Sequence, residues 1–384
     1  MRIGMMLETY KPYISGVTNF VALYKQYLES LGHEVFVFTF GNRKYKDTEP
    51  HVIRAPGFPL AQTGFYLGFG YSRKIRSLVA TMDIVHVHHP FLSGILSWRI
   101  CRARRIPIVF TNHTRYDLYS RFYLPFLPRK LARRLLSRYL TWFYRLCDLV
   151  VVPSEGARKF LQEMGGGHPI EVVPNGVDLT RFYHIDRADK RAEFGFASQD
   201  VVFTFVGRLG EEKNLSFLLD AFTAVSSKTD HVKLMLIGGG PLKGKLQAYA
   251  KRLGVAPRVS FAGLVPYEQV PRYLSAADAF VTASVTEVHP LTVIEAMAAG
   301  LPVIGIDSPG ISDTVQDGKT GYIVPENREA LAARMVDFVQ DPTRRLMMGE
   351  QAREASRAYA IERTTEAMLV HYQRLIERVR GGQP

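Results

Sequence analysis

The sequence predicts an α/β fold made of two doubly wound domains, and three observations predict it. A chain of 384 residues, 47% of them hydrophobic, is longer than one core usually serves, so two domains are expected. Short apolar runs alternate with longer amphipathic stretches, and strand, helix, strand repetition implies parallel sheets. The alternation also stops and restarts: it fades after Val172, crosses a charged stretch from Asp186 to Glu193, and resumes at Val201. The boundary is therefore expected between residues 178 and 198, giving one domain over 1–180, a second over 198–360 and a terminal helix over 361–384.

The opening run from Met1 to Met6 is the first strand, and a helix starts around Thr18. Val35–Thr39, Ile84–Val87, Ile108–Thr111 and Leu149–Val152 follow as strands, each next to an amphipathic stretch. The second half repeats the scheme at Val201–Val206, Val232–Ile237, Val259–Ala262, Ala279–Ala283, Pro302–Gly305 and Gly321–Val324. In the polar tail, Met368, Leu369, Tyr372, Leu375 and Ile376 recur at helical spacing, as in a helix packed on a domain. Two doubly wound domains facing each other leave a cleft between the carboxyl ends of their strands, where ligands of open α/β sheets bind.

Composition narrows the function classes. Two cysteines, Cys101 and Cys147, are too few for a disulfide framework and lack metal-ligand spacing, which fits a reducing compartment. No signal-peptide pattern opens the chain and no apolar run reaches about 18 residues, so a cytoplasmic chain without a membrane span is expected. The net charge of +13 is concentrated between Arg99 and Arg145, where twelve cations stand against Asp117 alone. Such a segment attracts a polyanion: an anionic membrane surface, nucleic acid or a phosphorylated acceptor. Within it, residues 128–145 form a basic amphipathic helix with Leu131, Leu135, Tyr139, Trp142 and Phe143 between the cations Arg129, Lys130, Arg133 and Arg134. That pattern predicts an interfacial membrane helix, and the aromatic run from Tyr119 to Leu127 before it adds to the same surface. No recognisable nucleic-acid module accompanies it, so no nucleic-acid partner is expected.

The candidate site residues follow in chain order. Gly16, between the first strand and first helix, sits where glycine permits close backbone approach of a ligand; on residues alone it is a glycine turn. His86, His88 and His89 resemble a metal cluster, but alternation along a strand places His89 on the opposite face from the other two. His113 ends a strand and points a polar ring toward the cleft. Arg208 and Lys213, in the glycine-rich loop after Val206, can together neutralise a diphosphate leaving group, work a divalent metal performs elsewhere. No Asp-x-Asp occurs, and metal-free chemistry with no cofactor is expected. The turns at Gly238–Gly240 and Gly263–Pro266 close strands.

The strongest constellation runs from Glu287 to Glu295. Pro290 suits the first turn of a helix, and Gly300 with Pro302 stops it. The amides of Leu291, Thr292 and Val293 are then expected to lack intrahelical partners and to form an anion site suited to a diphosphate. Glutamates flanking such an anion are unfavourable unless they accept hydrogen bonds from sugar hydroxyls.

With these motifs the whole chain resembles the retaining GT-B glycosyltransferases of family 4, in which two Rossmann-like domains hold a nucleotide-sugar between them. The Glu-x7-Glu motif is matched by Glu287 and Glu295, and the resemblance implies that Glu287 contacts the donor sugar and Glu295 the ribose. It further implies that Arg208 and Lys213 bind the donor phosphates, that Gly16 lies against those phosphates or the acceptor, that His113 meets the sugar, and that the nucleotide base lies near Val265. Where that family commonly has Phe-Gly, this chain has His289-Pro290; proline offers no amide, so the contacts fall to the amides of His289, Leu291 and Thr292. Residues 1–41 are most similar to bacterial diacylglycerol glucosyltransferases. The expectation is transfer of glucose or another hexose from a UDP-sugar, with a GDP-sugar as the other donor, to a lipid acceptor at the inner face of the cell membrane. Retention implies front-face attack, with Glu287 orienting the sugar. Transfer to a soluble or phosphoinositol-type acceptor and nucleotide-sugar epimerisation are the alternatives.

Overall fold

The computed structural model describes residues 1–13, 15–42, 45–59, 66–116, 127–164, 169–183 and 191–381. The chain divides into two units, Met1–Gly176 with Ile361–Pro384, and Val177–Ala360.

In the first unit the described strands are β1 (Arg2–Met6), β2 (Glu34–Gly41), β3 (Val52–Pro59), β4 (Tyr66–Gly68), β5 (Ile84–Val87), β6 (Ile108–Thr111), β7 (Leu149–Val152) and β8 (Ile170–Val172). Their helices are α1 (Gly16–Ser30), α2 (Arg73–Val79), α3 (Leu92–Arg104), α4 (Arg129–Tyr144) and α5 (Glu155–Glu163). The sheet order is β4-β3-β2-β1-β5-β6-β7-β8, parallel except for β4. β1, β5, β6 and β7 are buried almost throughout and mostly apolar, as expected where helices cover both faces of a parallel sheet. Strands β3, β4 and β8 were not expected from the sequence. Pro56, Gly57 and Pro59 interrupt the apolar pattern of β3, and such residues are tolerated toward a sheet edge, where fewer ladder donors are needed. α1 starts at a capping box in which Ser15 and Thr18 satisfy each other's amides.

The second unit carries β9 (Val201–Val206), α6 (Leu215–Ser226), β10 (Val232–Ile237), α7 (Lys243–Arg252), β11 (Val259–Gly263), α8 (Val270–Ser275), β12 (Ala279–Thr282), α9 (Leu291–Ala298), β13 (Val303–Ile306), α10 (Pro309–Thr314), β14 (Gly321–Val324), α11 (Arg328–Gln340) and α12 (Pro342–Ser356). Its all-parallel order is β11-β10-β9-β12-β13-β14. Alternate side chains feed two cores: Phe203 and Phe205 pack under α6 and α11, whereas Val202 and Phe280 pack with Val293 and Met297 of α9. The strand order reverses between β9 and β12, and in doubly wound sheets that switch point opens a crevice at the carboxyl ends of the two strands.

The last helix, α13 (Ile361–Arg380), returns to the first unit and buries Met368, Tyr372, Leu375 and Ile376 there.

Candidate functional site

In the second unit the expected donor residues stand on the two loops at the switch point. The loop after β9 is Gly207–Asn214, and the loop after β12 runs from Ala283 to Pro290. The first is seated by glycine: a Cβ on Gly238, whose φ is +139°, would lie 1.9 Å from the Gly207 carbonyl. The Gly207 amide donates to Ile237 O, and the Leu209 amide donates to Gly239 O. Ser284 Oγ donates to Glu212 O at 3.1 Å and ties the two loops together. Lys213 Nζ then reaches Glu287 Oε1 at 2.5 Å, both side chains about four-fifths buried. Burial pushes the Glu287 carboxyl up, but the Lys213 ammonium outweighs it and holds the group below the usual range. Glu287 is therefore an ionised acceptor at neutral pH. Its backbone is held from behind by Gly310, whose amide donates to Glu287 O at 3.1 Å, and a Cβ there would sit 2.7 Å from that carbonyl. Arg208 extends outward, its side chain 61% exposed and 3.8 Å from Glu212.

Eight residues on, Glu295 lies in the second turn of α9 and is 4% exposed. Tyr267 donates its hydroxyl to Glu295 Oε1 at 2.9 Å, and the Arg181 guanidinium, paired with Asp178 at 2.7 Å, covers the tyrosine ring. Burial pushes the Glu295 carboxyl up to about 7, against the opposing pull of Tyr267 and Arg181. The two glutamates thus differ: one is held charged, the other titrates near neutrality.

The start of α9 requires one correction. The Val293 amide donates to Pro290 O at 3.0 Å and is not free for a ligand, because proline's carbonyl closes the first turn. The amides of His289, Leu291 and Thr292 have no acceptor among the described residues, and no side chain caps the helix. The His289 ring is buried and edge-on to Tyr359 at 5.2 Å, and burial lowers its pKa to about 3, so it is neutral. Val265 is half-buried, two residues from Tyr267 and packed against the core.

The remaining candidates belong to the first unit. Gly16 is the first residue of α1, and beyond its chain neighbours and its own helix backbone none of the described residues comes within 4 Å of where its Cβ would sit. His113 follows β6, its Nε2 3.0 Å from His88 Nδ1 and its ring against Phe20. His86 bonds Thr111 and Tyr372, while the His89 ring accepts the Glu8 amide. Among the described residues no three His, Cys, Asp or Glu side chains are placed to share a metal. On α4, Lys130, Leu131, Arg133, Arg134, Leu135, Arg138 and Trp142 are exposed; the side chain of Arg129 and residues 117–126 lie outside the described set. Phe143, expected on the membrane face, is 1% exposed and packs edge-on against Phe110 at 5.2 Å. One step of about 100° beyond Trp142 puts it in line with Ala132, Leu136 and Leu140, the buried stripe of the helix. None of the described helices is long and apolar enough to cross a membrane.

Sequence reasoning missed Tyr267, Arg181, Ser284 and Gly310, and it weighed His88 only as a member of a metal cluster. All five act through contacts between distant segments, and only Tyr267, beside the Val265 turn, carried a local hint.

Comparison with known proteins agrees with this architecture. The description "Glycosyltransferase Family 4" matches residues 14–181, and "Glycosyl transferases group 1" matches residues 186–355. The chain is 30% identical over 393 residues to an alpha-monoglucosyldiacylglycerol synthase of Acholeplasma laidlawii, covering 98% of each protein. It is 31% identical over 321 residues to a D-inositol 3-phosphate glycosyltransferase of Nocardia farcinica, covering 81% of this chain and 70% of that protein. In fold it matches an Anabaena protein, HepE, solved in complex with UDP-glucose, with a TM-score of 0.78 at 20% identity over 97% of this chain and 99% of that one. A similarity that runs through both units, together with two switch-point sheets, leaves one conclusion: the chain belongs to the family 4 glycosyltransferases and has their GT-B fold.

Proposed function

We propose that this enzyme transfers a hexose, in the first instance glucose, from a UDP-sugar to a membrane lipid such as diacylglycerol, working peripherally at the inner face of the cell membrane. The observation that carries this reading is the outer face of α4. Leu131, Leu135 and Trp142, each close to half exposed, lie among Lys130, Arg133, Arg134 and Arg138. A soluble acceptor has no need of such a face, whereas an anionic bilayer attracts the cations and accepts the apolar side chains. The near full-length similarity to a synthase named for a glucosylated diacylglycerol supports the same acceptor, and the HepE complex supports UDP-glucose as donor.

On the donor side, the free amides at the start of α9 and the side chains of Arg208 and Lys213 suit a diphosphate without a metal. Ionised Glu287 accepts sugar hydroxyls, and Glu295 accepts those of the ribose. The transfer retains configuration, with the departing diphosphate oxygen taking the acceptor proton. A phosphoinositol acceptor is the second reading, favoured by the similarity to an inositol-phosphate transferase.

The test is a screen of UDP- and GDP-sugars with chelator-treated enzyme, offered diacylglycerol in anionic vesicles or soluble inositol phosphate, with mass spectrometry and NMR of the product. The expected product is a hexosyl lipid with the donor's anomeric configuration. Transfer to inositol phosphate alone rejects the lipid reading, and loss of turnover on chelation that a divalent ion restores rejects the metal-free one.

A further inference from the structure

The first unit contains an imidazole pair whose buried member, His88, has no part in the proposed chemistry. His88 lies just past the carboxyl end of β5, on the sheet neighbouring β6, and is 0% exposed. Its Nδ1 is 3.0 Å from Nε2 of His113, which is half-buried. Its other nitrogen, Nε2, is buried with no hydrogen-bond partner among the described residues. The ring cannot turn to find one: it lies 4.2 Å from the His86 ring, which is itself held at both nitrogens by Tyr372 and Thr111, and Phe20 packs against both His88 and His113.

These contacts determine where the protons sit. Burial first, then the neighbouring His86, His113 and His89 rings, drives the pKa of His88 well below its ordinary value, so it is neutral and carries one N–H. The titratable groups around it are those three histidines and, across His86, Tyr24 and Tyr372; all are neutral at pH 7 except the half-buried His113, whose state is the one in question. A proton on Nε2 would be a buried donor without an acceptor, which costs more than leaving a lone pair unused. The proton therefore belongs on Nδ1, and His88 donates to His113. Protonating His113 at Nε2 would set N–H against N–H and force the His88 proton onto its unpartnered side.

We propose that His88 is a positioning residue for His113: its Nδ1–H bond to His113 Nε2 fixes that ring as the neutral Nδ1–H tautomer and presents it as a hydrogen-bond donor. The catalytic part rests on the reading that His113 meets the donor sugar; the hydrogen bond does not. A fixed neutral donor can stabilise a sugar oxygen through the transition state without ring reorganisation.

The experiment uses the full chain with ring-15N histidine, read by long-range 1H–15N NMR between pH 6 and 8. The expected result is His113 with its proton on Nδ1 and an unprotonated, hydrogen-bonded Nε2 across that range. A wild-type His113 carrying Nε2–H overturns the proposal without any substitution. In His88→Phe the ring stays and the donor goes. His113 should then exchange tautomers, and kcat should fall roughly tenfold to a hundredfold with donor KM within about twofold. His88→Gln, whose amide can donate to Nε2, should recover most of the rate. A folded His88→Phe chain with wild-type kcat and a fixed His113 overturns the proposal. Full activity of His113→Ala overturns the sugar contact, while NMR judges the hydrogen bond separately, so the two failures are distinguishable.

Discussion

Glu287 and Glu295 share a motif but not a charge state, and each makes its own prediction. Lys213 holds Glu287 ionised, and in the proposed reading it also neutralises the departing diphosphate. Arg208→Ala should lower kcat by about 10²–10³-fold, the usual cost of one electrostatic contact to a developing charge. Lys213→Ala should cost more, because it also strands a buried carboxylate whose pKa burial then raises; near-normal steady-state kinetics in either variant would remove that residue from the leaving-group role. Glu295 predicts a pH effect. With its pKa near 7 the carboxyl is protonated below that pH and ionised above it, and in the proposed reading ribose hydroxyls donate to the ionised form. Donor binding, measured by calorimetry, should therefore strengthen as pH rises from 6 to 8. Tyr267→Phe removes a hydrogen bond that favours the ionised form, so the rise should move to higher pH. Stability runs the other way: the folded chain holds this proton above the ordinary value of 4.5, so the group's contribution falls as pH climbs from there toward 7. The spacing of the two glutamates was legible in the sequence because Pro290 and Gly300 punctuate the helix that carries the second. Their difference was not, since Tyr267 and Lys213 reach them from 28 and 74 residues away.

At the scale of one element, α4 separates a surface from a core along a single helix. Its amphipathic pattern was readable, but the register of the two stripes was not, and that is why Phe143 was placed with Trp142. Exposed cations near an anionic bilayer are each worth about 1 kcal/mol. Lys130→Gln, Arg133→Gln and Arg134→Gln together should weaken binding to anionic vesicles roughly a hundredfold at low salt, and less as salt is added. Trp142→Ala should weaken it with little salt dependence and leave thermal stability unchanged. Phe143→Ala should do the reverse, costing about 3–5 kcal/mol of stability through the cavity left beside Phe110. Vesicle flotation and melting curves on the same four proteins decide it; indifference of binding to the triple charge change removes α4 from the membrane account. The edge strand β4 and its neighbour β3 were missed for a related reason: strand periodicity is weakest where proline and glycine are allowed, toward the margin of a sheet.

For the whole molecule, the parallel strands dictated most of the architecture. Apolar runs without alternation announce sheets covered on both faces, and the restart at Val201 announces a second one. What no local pattern announced is that the chain end belongs to its beginning. α13 joins the first unit, where Tyr372 is 0% exposed and bonds His86, and where Met368, Leu375 and Ile376 are each below 8% exposed. At Gly176, Ile361 packs so closely that a Cβ would come within 2.7 Å of its Cα. Burying four such side chains contributes about 1.5–3 kcal/mol each, on the order of 6–12 kcal/mol together. That rivals the roughly 5–15 kcal/mol that holds a whole domain folded. A chain ending at Ala360 should therefore lose the cooperative melting transition of its first unit while the second, with both of its cores intact, still melts as a unit. Calorimetry of the truncated and full chains tests this, with a fragment of residues 177–360 as reference. A truncated chain that keeps both transitions would show the tail helix to be an appendage rather than part of the first core.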